Sequence, residues 1–223
     1  MTQKSKIAVI GLGNIGTVVA TNFVKGHRVV IVADRKIEKA TSLAQQLGNL
    51  AKPMEIPEAI KEADIIVLAV WFNAIKELLH QYATALQGKI IVDPSNPIAP
   101  DEKGGFKKII GEKESAGEII ASLLPAGAKL AKALGTLSAG SLASAAFQKP
   151  DPAVLFYAAG DASIKAEMEQ LIRDAGFEPL QVGGLDQSIR IEVFGDLHEF
   201  GALGKPVTIS EAKQKISYQP AKS

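Results

Sequence analysis

The 223-residue chain contains no cysteine, which excludes a disulfide framework, thiolate metal sites, iron–sulfur clusters and a cysteine nucleophile together. Histidine is scarce as well. His27, His80 and His198 are too scattered in sequence to form a metal cluster, and no metal is expected. Charge of one sign is also missing: 25 Lys and Arg face 24 Asp and Glu, and the net +1 recruits neither nucleic acid nor an acidic membrane. The longest apolar run, Ile65 to Phe72, has eight residues, far short of the roughly 20 that cross a bilayer. Lys4 and Lys6 ahead of an apolar stretch imitate a secretory signal, but three glycines and Asn14 interrupt it. The stretch reads as a first strand, and the chain as cytoplasmic. With 47% hydrophobic and 22% charged residues, the composition is that of a chain that buries a core.

The first third alternates strand and helix patterns. Lys6–Ile10 is a continuous apolar run, Ile15, Val18, Val19 and Phe23 recur at helical spacing, and Gly26 offers a stop. Arg28–Ala33 reads as a strand, Glu38–Leu47 as a helix, and Pro57–Ala63 as a short helix opened by proline. Ile65–Val70 and Lys89–Asp93 read as strands around a helix over Asn73–Leu86. This alternation implies a parallel sheet with right-handed crossovers, an α/β doubly wound sheet of the Rossmann type.

Three prolines in Asp93–Pro100 end that pattern, and 101–115 reads as a mobile surface loop. Beyond it the expectations are a helix over Ala116–Leu124, a strand over Lys129–Leu134 and a helix over Ser138–Phe147. A strand over Ala153–Ala158, a helix over Ser163–Ala175 and a strand over Glu178–Val182 follow. Leu185–Gly204 reads as helix with glycine interruptions, and the tail after Ser210 as frayed. No repeat or low-complexity linker divides the chain. It is expected to form one domain over 1–223, with 1–97 the dinucleotide-binding half and 98–223 completing the sheet and the substrate site.

Gly11-Leu12-Gly13-Asn14-Ile15-Gly16 matches G-x-G-x-x-G, follows a strand pattern and opens a helix pattern. An acidic residue, Asp34, ends the next strand, as the dinucleotide fingerprint requires. Gly11 permits the turn, Gly13 lets backbone approach a diphosphate, and Gly16 lets helix pack closely on strand. The helix N-terminus supplies free N–H groups to the phosphates. The end of the second strand points two ways on cofactor choice. Asp34 suits the ribose hydroxyls of NAD, whereas Arg35 and Lys36 suit the 2′-phosphate of NADP. NADP(H) is preferred over NAD(H).

Open α/β sheets bind ligands at their carboxyl edge. That places Val70, Trp71 and Asn73 at the end of the strand pattern Ile65–Val70, and Ser95, Asn96 and Pro97 after the strand pattern Lys89–Asp93, beside the cofactor. Trp71 serves either as an aromatic edge of the nicotinamide pocket or as core packing. His198, in Asp196–Phe200, is the one weak candidate for a catalytic acid or base, against a place on a helix surface. His27 reads as structural and His80 as solvated. No serine lies in a nucleophile-elbow pattern.

These residues resemble a known family. Gly11–Gly16, Ala33-Asp-Arg35 with Glu38-Lys39-Ala40, and Asn96-Pro97 resemble the NADP oxidoreductases that use the deazaflavin coenzyme F420. So do Gly104-Gly105-Phe106, Ser115-Ala-Gly117, Leu124-Pro-Ala126, Ala153–Asp161, Gly176-Phe177, and Gly184-Leu185 before Arg190 and Glu192. The resemblance implies direct hydride transfer between NADP(H) and a flavin or deazaflavin ring, a reaction that needs positioning more than a general acid. Two positions depart from the family pattern: Asp34 stands where a small polar residue often precedes the arginine, and Gly135 where Asn is frequent. A reductase of a small carbonyl or imine, or a non-catalytic dinucleotide-binding sensor, are the alternatives. The expected partner is a small-molecule acceptor, with a homodimer as the general prior for soluble oligomers.

Overall fold

The computed structural model describes residues 4–217. Strands β1 (Ile7–Ile10), β2 (Val30–Ala33) and β3 (Ala51–Pro53) alternate with helices α1 (Asn14–Lys25), α2 (Ile37–Leu47) and α3 (Ile56–Glu62). Next come β4 (Ile65–Leu68), α4 (Phe72–Gln81) and β5 (Ile90–Asp93). A hairpin of β6 (Ile98–Pro100) and β7 (Phe106–Lys108) leads to α5 (Ala116–Ala121), β8 (Lys129–Lys132) and α6 (Ala139–Ser144). The chain closes through β9 (Val154–Ala159), α7 (Lys165–Asp174), β10 (Glu178–Gly183) and α8 (Ile209–Ser217).

Eight strands form one sheet in the order β10-β9-β8-β5-β4-β1-β2-β3, with β6 and β7 paired apart from it. From β3 to β8 every neighbouring pair is parallel, so the ends of β1, β2, β4, β5 and β8 share one edge. β9 pairs antiparallel to β8 through Ala131–Ala159 and Lys132–Ala158. The sheet is therefore mostly parallel, with a two-strand extension running the other way.

Alternation along each strand builds two cores. Ile7 and Val9 face α1, α2, α6 and α7, whereas Ala8 and Ile10 face α3, α4 and α5. The strands thus read as unbroken apolar runs because both faces are covered. Each fully buried Ile, Val or Leu contributes about 1.5–3 kcal/mol. At the edge opposite the strand ends, the buried pair Arg28–Asp174 at 3.2 Å ties the start of β2 to the end of α7. A Cβ on Gly26 would lie 1.9 Å from the Asp174 carbonyl, so the α1–β2 turn packs directly on α7.

Four expectations are corrected. Residues 101–115 are not a loop without structure: β6 and β7 pair across Gly104 and Gly105, whose φ of +92° and +80° suit the turn. Leu185–Gly204 is not an interrupted α-helix. It is a 3-10 segment, Leu185–Arg190, followed by tight turns and a short wide turn over Glu199–Leu203, and two of its N–H groups leave helical pairing for distant acceptors, Val193 for Asn96 Oδ1 and Glu199 for the Thr136 carbonyl. The segment after Ser210 is not frayed up to 217: α8 caps on Glu211, whose carboxylate accepts from Thr208 N–H at 2.8 Å. The rest of that tail, 218–223, lies outside the described residues. β3 was missed, being only three residues long. No helix among the described residues is long and apolar enough to cross a membrane.

Candidate functional site

The glycine loop joins β1 to α1 and is built from backbone. Gly11 has φ +90°, and its N–H donates to the Ala33 carbonyl at 2.9 Å, locking the loop to the end of β2. A Cβ on Gly16 would stand 1.9 Å from the Gly11 carbonyl oxygen, so only glycine lets α1 pack this close. Gly13 is the opposite case: a Cβ there would meet nothing within 4 Å. Leu12 is buried beneath the loop, Gly13 and Asn14 are exposed, and Ile15 packs against the core. No side chain caps α1 at Gly13 and no acidic residue lies in its first turn. Its positive end and free N–H groups are left for an anion, which a diphosphate fits.

Asp34 is used by the loop itself. Its Oδ2 accepts from Leu12 N–H at 2.8 Å and its Oδ1 from Lys36 N–H at 3.3 Å, with Lys39 Nζ 3.8 Å away. Both carboxylate oxygens therefore already have backbone donors. The exposed side chains of Arg35 and Lys36 have no protein partner among the described residues. Lys36 opens onto a recess of about 460 Å³ between α1 and α2, lined also by Thr17, Glu38, Lys39, Ser42, Leu43 and Gln46. Two free cations beside an Asp34 carboxylate that is already occupied suit a phosphate better than a ribose diol.

Past β4, Val70 touches the glycine loop: its Cγ1 would lie 2.5 Å from a Cβ on Gly11. Trp71 is 60% exposed, so it is an edge residue and not core packing. Asn73 is exposed in the first turn of α4.

Past β5, Ser95, Asn96 and Pro97 are held by a network that sequence reasoning missed. Lys132, at the end of β8, is 3% exposed and sits 3.0 Å from Asp93 Oδ2. It also donates to the Ser95 carbonyl, while Asp93 Oδ1 accepts from Ser95 N–H at 2.7 Å. Asn96 Nδ2 donates to the Gly135 carbonyl at 3.3 Å, and its Oδ1 accepts from Val193 N–H at 2.7 Å. The buried hydroxyls of Ser95 and Thr136 have no hydrogen-bond partner among the described residues. They line one narrow crevice with Asp93, Lys132, Ala133, Gly135 and Ile191. The missed signal was visible in the sequence: Lys132 is a lone charge inside Leu130-Ala-Lys-Ala-Leu134.

The C-terminal segment closes this side. Glu192 is fully buried and accepts from Ala116 N–H at 3.0 Å, Gly117 N–H at 3.1 Å and Ser188 Oγ at 2.8 Å. Burial opposes ionisation of Glu199, but hydrogen bonds from Ser141 Oγ and the Ser138 amide hold its carboxyl below the usual range.

His198 is neither on a helix surface nor at the surface at all: it is 1% exposed. Its Nδ1 accepts from Phe200 N–H at 3.0 Å, which fixes the proton on Nε2, 3.0 Å from the Gly135 carbonyl. Burial pulls its pKa down to about 4, so the ring is neutral. With both nitrogens committed to backbone, it positions the Gly135 turn and has no proton in place for a substrate. Among the described residues no group of His, Asp or Glu could hold a metal ion.

The carboxyl edge therefore gathers the glycine loop, the Arg35–Lys36 strand end, the Trp71 edge and the Ser95–Pro97 turn along one line. Residues 6–97 match the family described as NADP oxidoreductase coenzyme F420-dependent. The chain is 31% identical over 147 residues to the F420-dependent NADP reductase of Methanothermobacter marburgensis, covering 61% of this chain and 66% of that protein. It is 29% identical over 191 residues to the metalloreductase STEAP3 of Rattus norvegicus, covering 85% of this chain. The chain spans only 36% of the length of that metalloreductase. A solved structure, the hypothetical protein SMa0349 from Sinorhizobium meliloti, superposes with a TM-score of 0.79 at 27% identity over 92% of this chain and 95% of the other.

Proposed function

We propose that the chain, whose residues 6–97 match the coenzyme F420-dependent NADP oxidoreductase family, carries hydride between NADP(H) and a flavin or deazaflavin ring. The observation that carries this reading is the pairing of an intact dinucleotide cradle with a second half whose one histidine, His198, is neutral and has both ring nitrogens held by backbone. When bound, the nicotinamide supplies or takes the hydride.

The chain's own residues bind and orient. The N–H groups at the start of α1 take the diphosphate over the open space above Gly13. Arg35 and Lys36, with Lys39 behind them, take the 2′-phosphate, since Asp34 is committed to Leu12 and Lys36. Val70, Trp71 and Asn73 flank the middle of the dinucleotide. The Ser95–Pro97 turn, fixed by Asp93, Lys132 and Asn96, faces the nicotinamide with the unpartnered Ser95 and Thr136 hydroxyls nearby.

A ring acceptor can receive hydride and leave as an anion, so the step balances without a protein acid. A small carbonyl needs a proton at oxygen, and the neutral, backbone-bonded His198 counts against that alternative.

Titrations with NADPH and NADH, each repeated with flavin mononucleotide or the deazaflavin present, test the proposal. NADPH is expected to bind tighter than NADH, with nicotinamide absorbance lost only when a ring acceptor is added. Tight NADPH binding with no loss for any acceptor would make the protein a dinucleotide sensor. Tighter NADH binding would return cofactor choice to Asp34.

A further inference from the structure

Two large aromatic side chains stand uncovered at the carboxyl edge and touch each other. Trp71 is 60% exposed and Phe106 53% exposed, with ring centroids 6.4 Å apart and planes inclined at 44°. They arrive from separate elements. Trp71 precedes α4, where its carbonyl accepts from Ile75 N–H at 3.1 Å. Phe106 is carried by the β6–β7 hairpin, which the main sheet does not need.

That hairpin is tightly built. Asp101 N–H donates to the Gly105 carbonyl at 3.1 Å, and Gly104 N–H to the Asp101 carbonyl at 2.9 Å. Lys103 N–H donates to Asp101 Oδ1 at 3.0 Å. Its base is pinned by Ile109 N–H on the Pro97 carbonyl at 2.9 Å, next to the Asn96 turn. A single exposed aromatic residue is ordinary. Here, an ordered hairpin sets one uncovered ring against another at the mouth of the site.

The run of the dinucleotide decides which half lies beside them. With the 2′-phosphate at Arg35 and Lys36 after β2 and the diphosphate on the glycine loop after β1, the nicotinamide half extends toward β4, β5 and β8. The hairpin springs from the end of β5, on that same side. We infer that Trp71 and Phe106 form the wall against which the planar ring of the acceptor packs, making them specificity-determining residues for an extended aromatic acceptor over a small aliphatic carbonyl. This rests on the hydride-transfer reading above. A conjugated ring system gains from stacked and tilted contacts with indole and phenyl faces, whereas a small carbonyl compound offers no such face.

Flavin mononucleotide, titrated into the full chain saturated with NADP⁺, tests the wall without turnover. Flavin emission is lost when an indole contacts the ring, and Trp71 is the only tryptophan in the chain. The bound flavin is expected to be dark in the unmodified protein. Trp71→Leu is expected to restore its emission and weaken flavin binding about tenfold, and Phe106→Leu to weaken it about threefold. Trp71→Phe should retain most of the affinity. In turnover the KM for the flavin rises more than that for NADPH in Trp71→Leu, and NADPH binding, followed by the nicotinamide's own emission, stays unchanged in Phe106→Leu. Because both rings are exposed, the thermal midpoint should not move.

Three results would overturn the inference: flavin binding unchanged in both leucine variants, NADPH binding weakened as much as flavin binding by Trp71→Leu, or no flavin binding to the unmodified protein. Failure of the hydride reading looks different. The flavin would bind and darken against Trp71, while nicotinamide absorbance persisted in the NADPH complex.

Discussion

The two ends of the site are built differently. At the glycine-loop end, proposed above for the adenosine half, the contacts join near neighbours in the sequence: Leu12 N–H meets Asp34 across 22 residues, and Gly16 packs on Gly11. At the Ser95–Pro97 end, proposed above for the acceptor, they cross the chain. Asn96 meets Val193 across 97 residues, Ala116 meets Glu192 across 76, and His198 meets Gly135 across 63. The adenosine end uses backbone geometry to offer N–H groups to an anion. The acceptor end uses buried charged and polar side chains to hold two turns against each other. Damage should therefore act on binding at the first end and on stability, and through it positioning, at the second.

The largest expected effect comes from the buried pair. Lys132→Met leaves Asp93 uncompensated in the interior and should cost about 3–5 kcal/mol in urea unfolding. The double variant Asp93→Asn/Lys132→Met keeps an acceptor for Ser95 N–H and should recover most of that loss. A single-variant cost below about 1 kcal/mol would remove the pair from its role.

Acid should attack the same end. His198 titrates near 6.5 when unfolded and at about 4 in the fold, chiefly because it is buried. Between those values the unfolded chain binds a proton that the fold refuses. Stability is therefore complete above about pH 6.5 and falls by up to about 3 kcal/mol as pH drops toward 4. His198→Gln, which can serve both backbone partners, should flatten that part of the stability curve. An unchanged curve would show that other groups carry it.

At the adenosine end, Gly13→Val has open space and should leave the unfolding midpoint alone. It should weaken NADPH about a hundredfold by covering the α1 amides. A variant that binds NADPH normally would erase the contrast between the two ends. The smallest effect is the most selective. Arg35→Ala should weaken NADPH about tenfold and leave NADH unchanged, the loss of one charge-assisted phosphate contact. Equal weakening of both would place Arg35 elsewhere on the cofactor.

The same contrast explains what could be read from the sequence. The cradle was legible because G-x-G-x-x-G, the apolar run before it and Asp34 after the second strand are local signals of backbone geometry. Even so, the partner of Asp34 was not, since a carboxylate at that position serves a ribose or its own loop equally well on paper. The acceptor end was legible only as the carboxyl edge of the sheet. Lys132, Glu192 and Glu199 look like surface charges until distant segments fold over them, and His198 looked like a helix residue because glycine-broken turns share helical spacing. The β6–β7 hairpin was hidden by the polar, glycine-bearing stretch around Gly104, which carries turn signals without strands long enough to show a pattern.

The most direct measurement follows deuterium from C4 of labelled NADPH into the acceptor. A reduced deazaflavin holds the transferred hydrogen on a ring carbon, where it does not exchange with water. The proposed reaction predicts that deuterium appears on that carbon, with NADP⁺ formed in equal amount and the same outcome in His198→Gln. Labelled NADPH left intact beside every ring acceptor, or hydrogen on the product drawn from water, would contradict hydride transfer between the two rings.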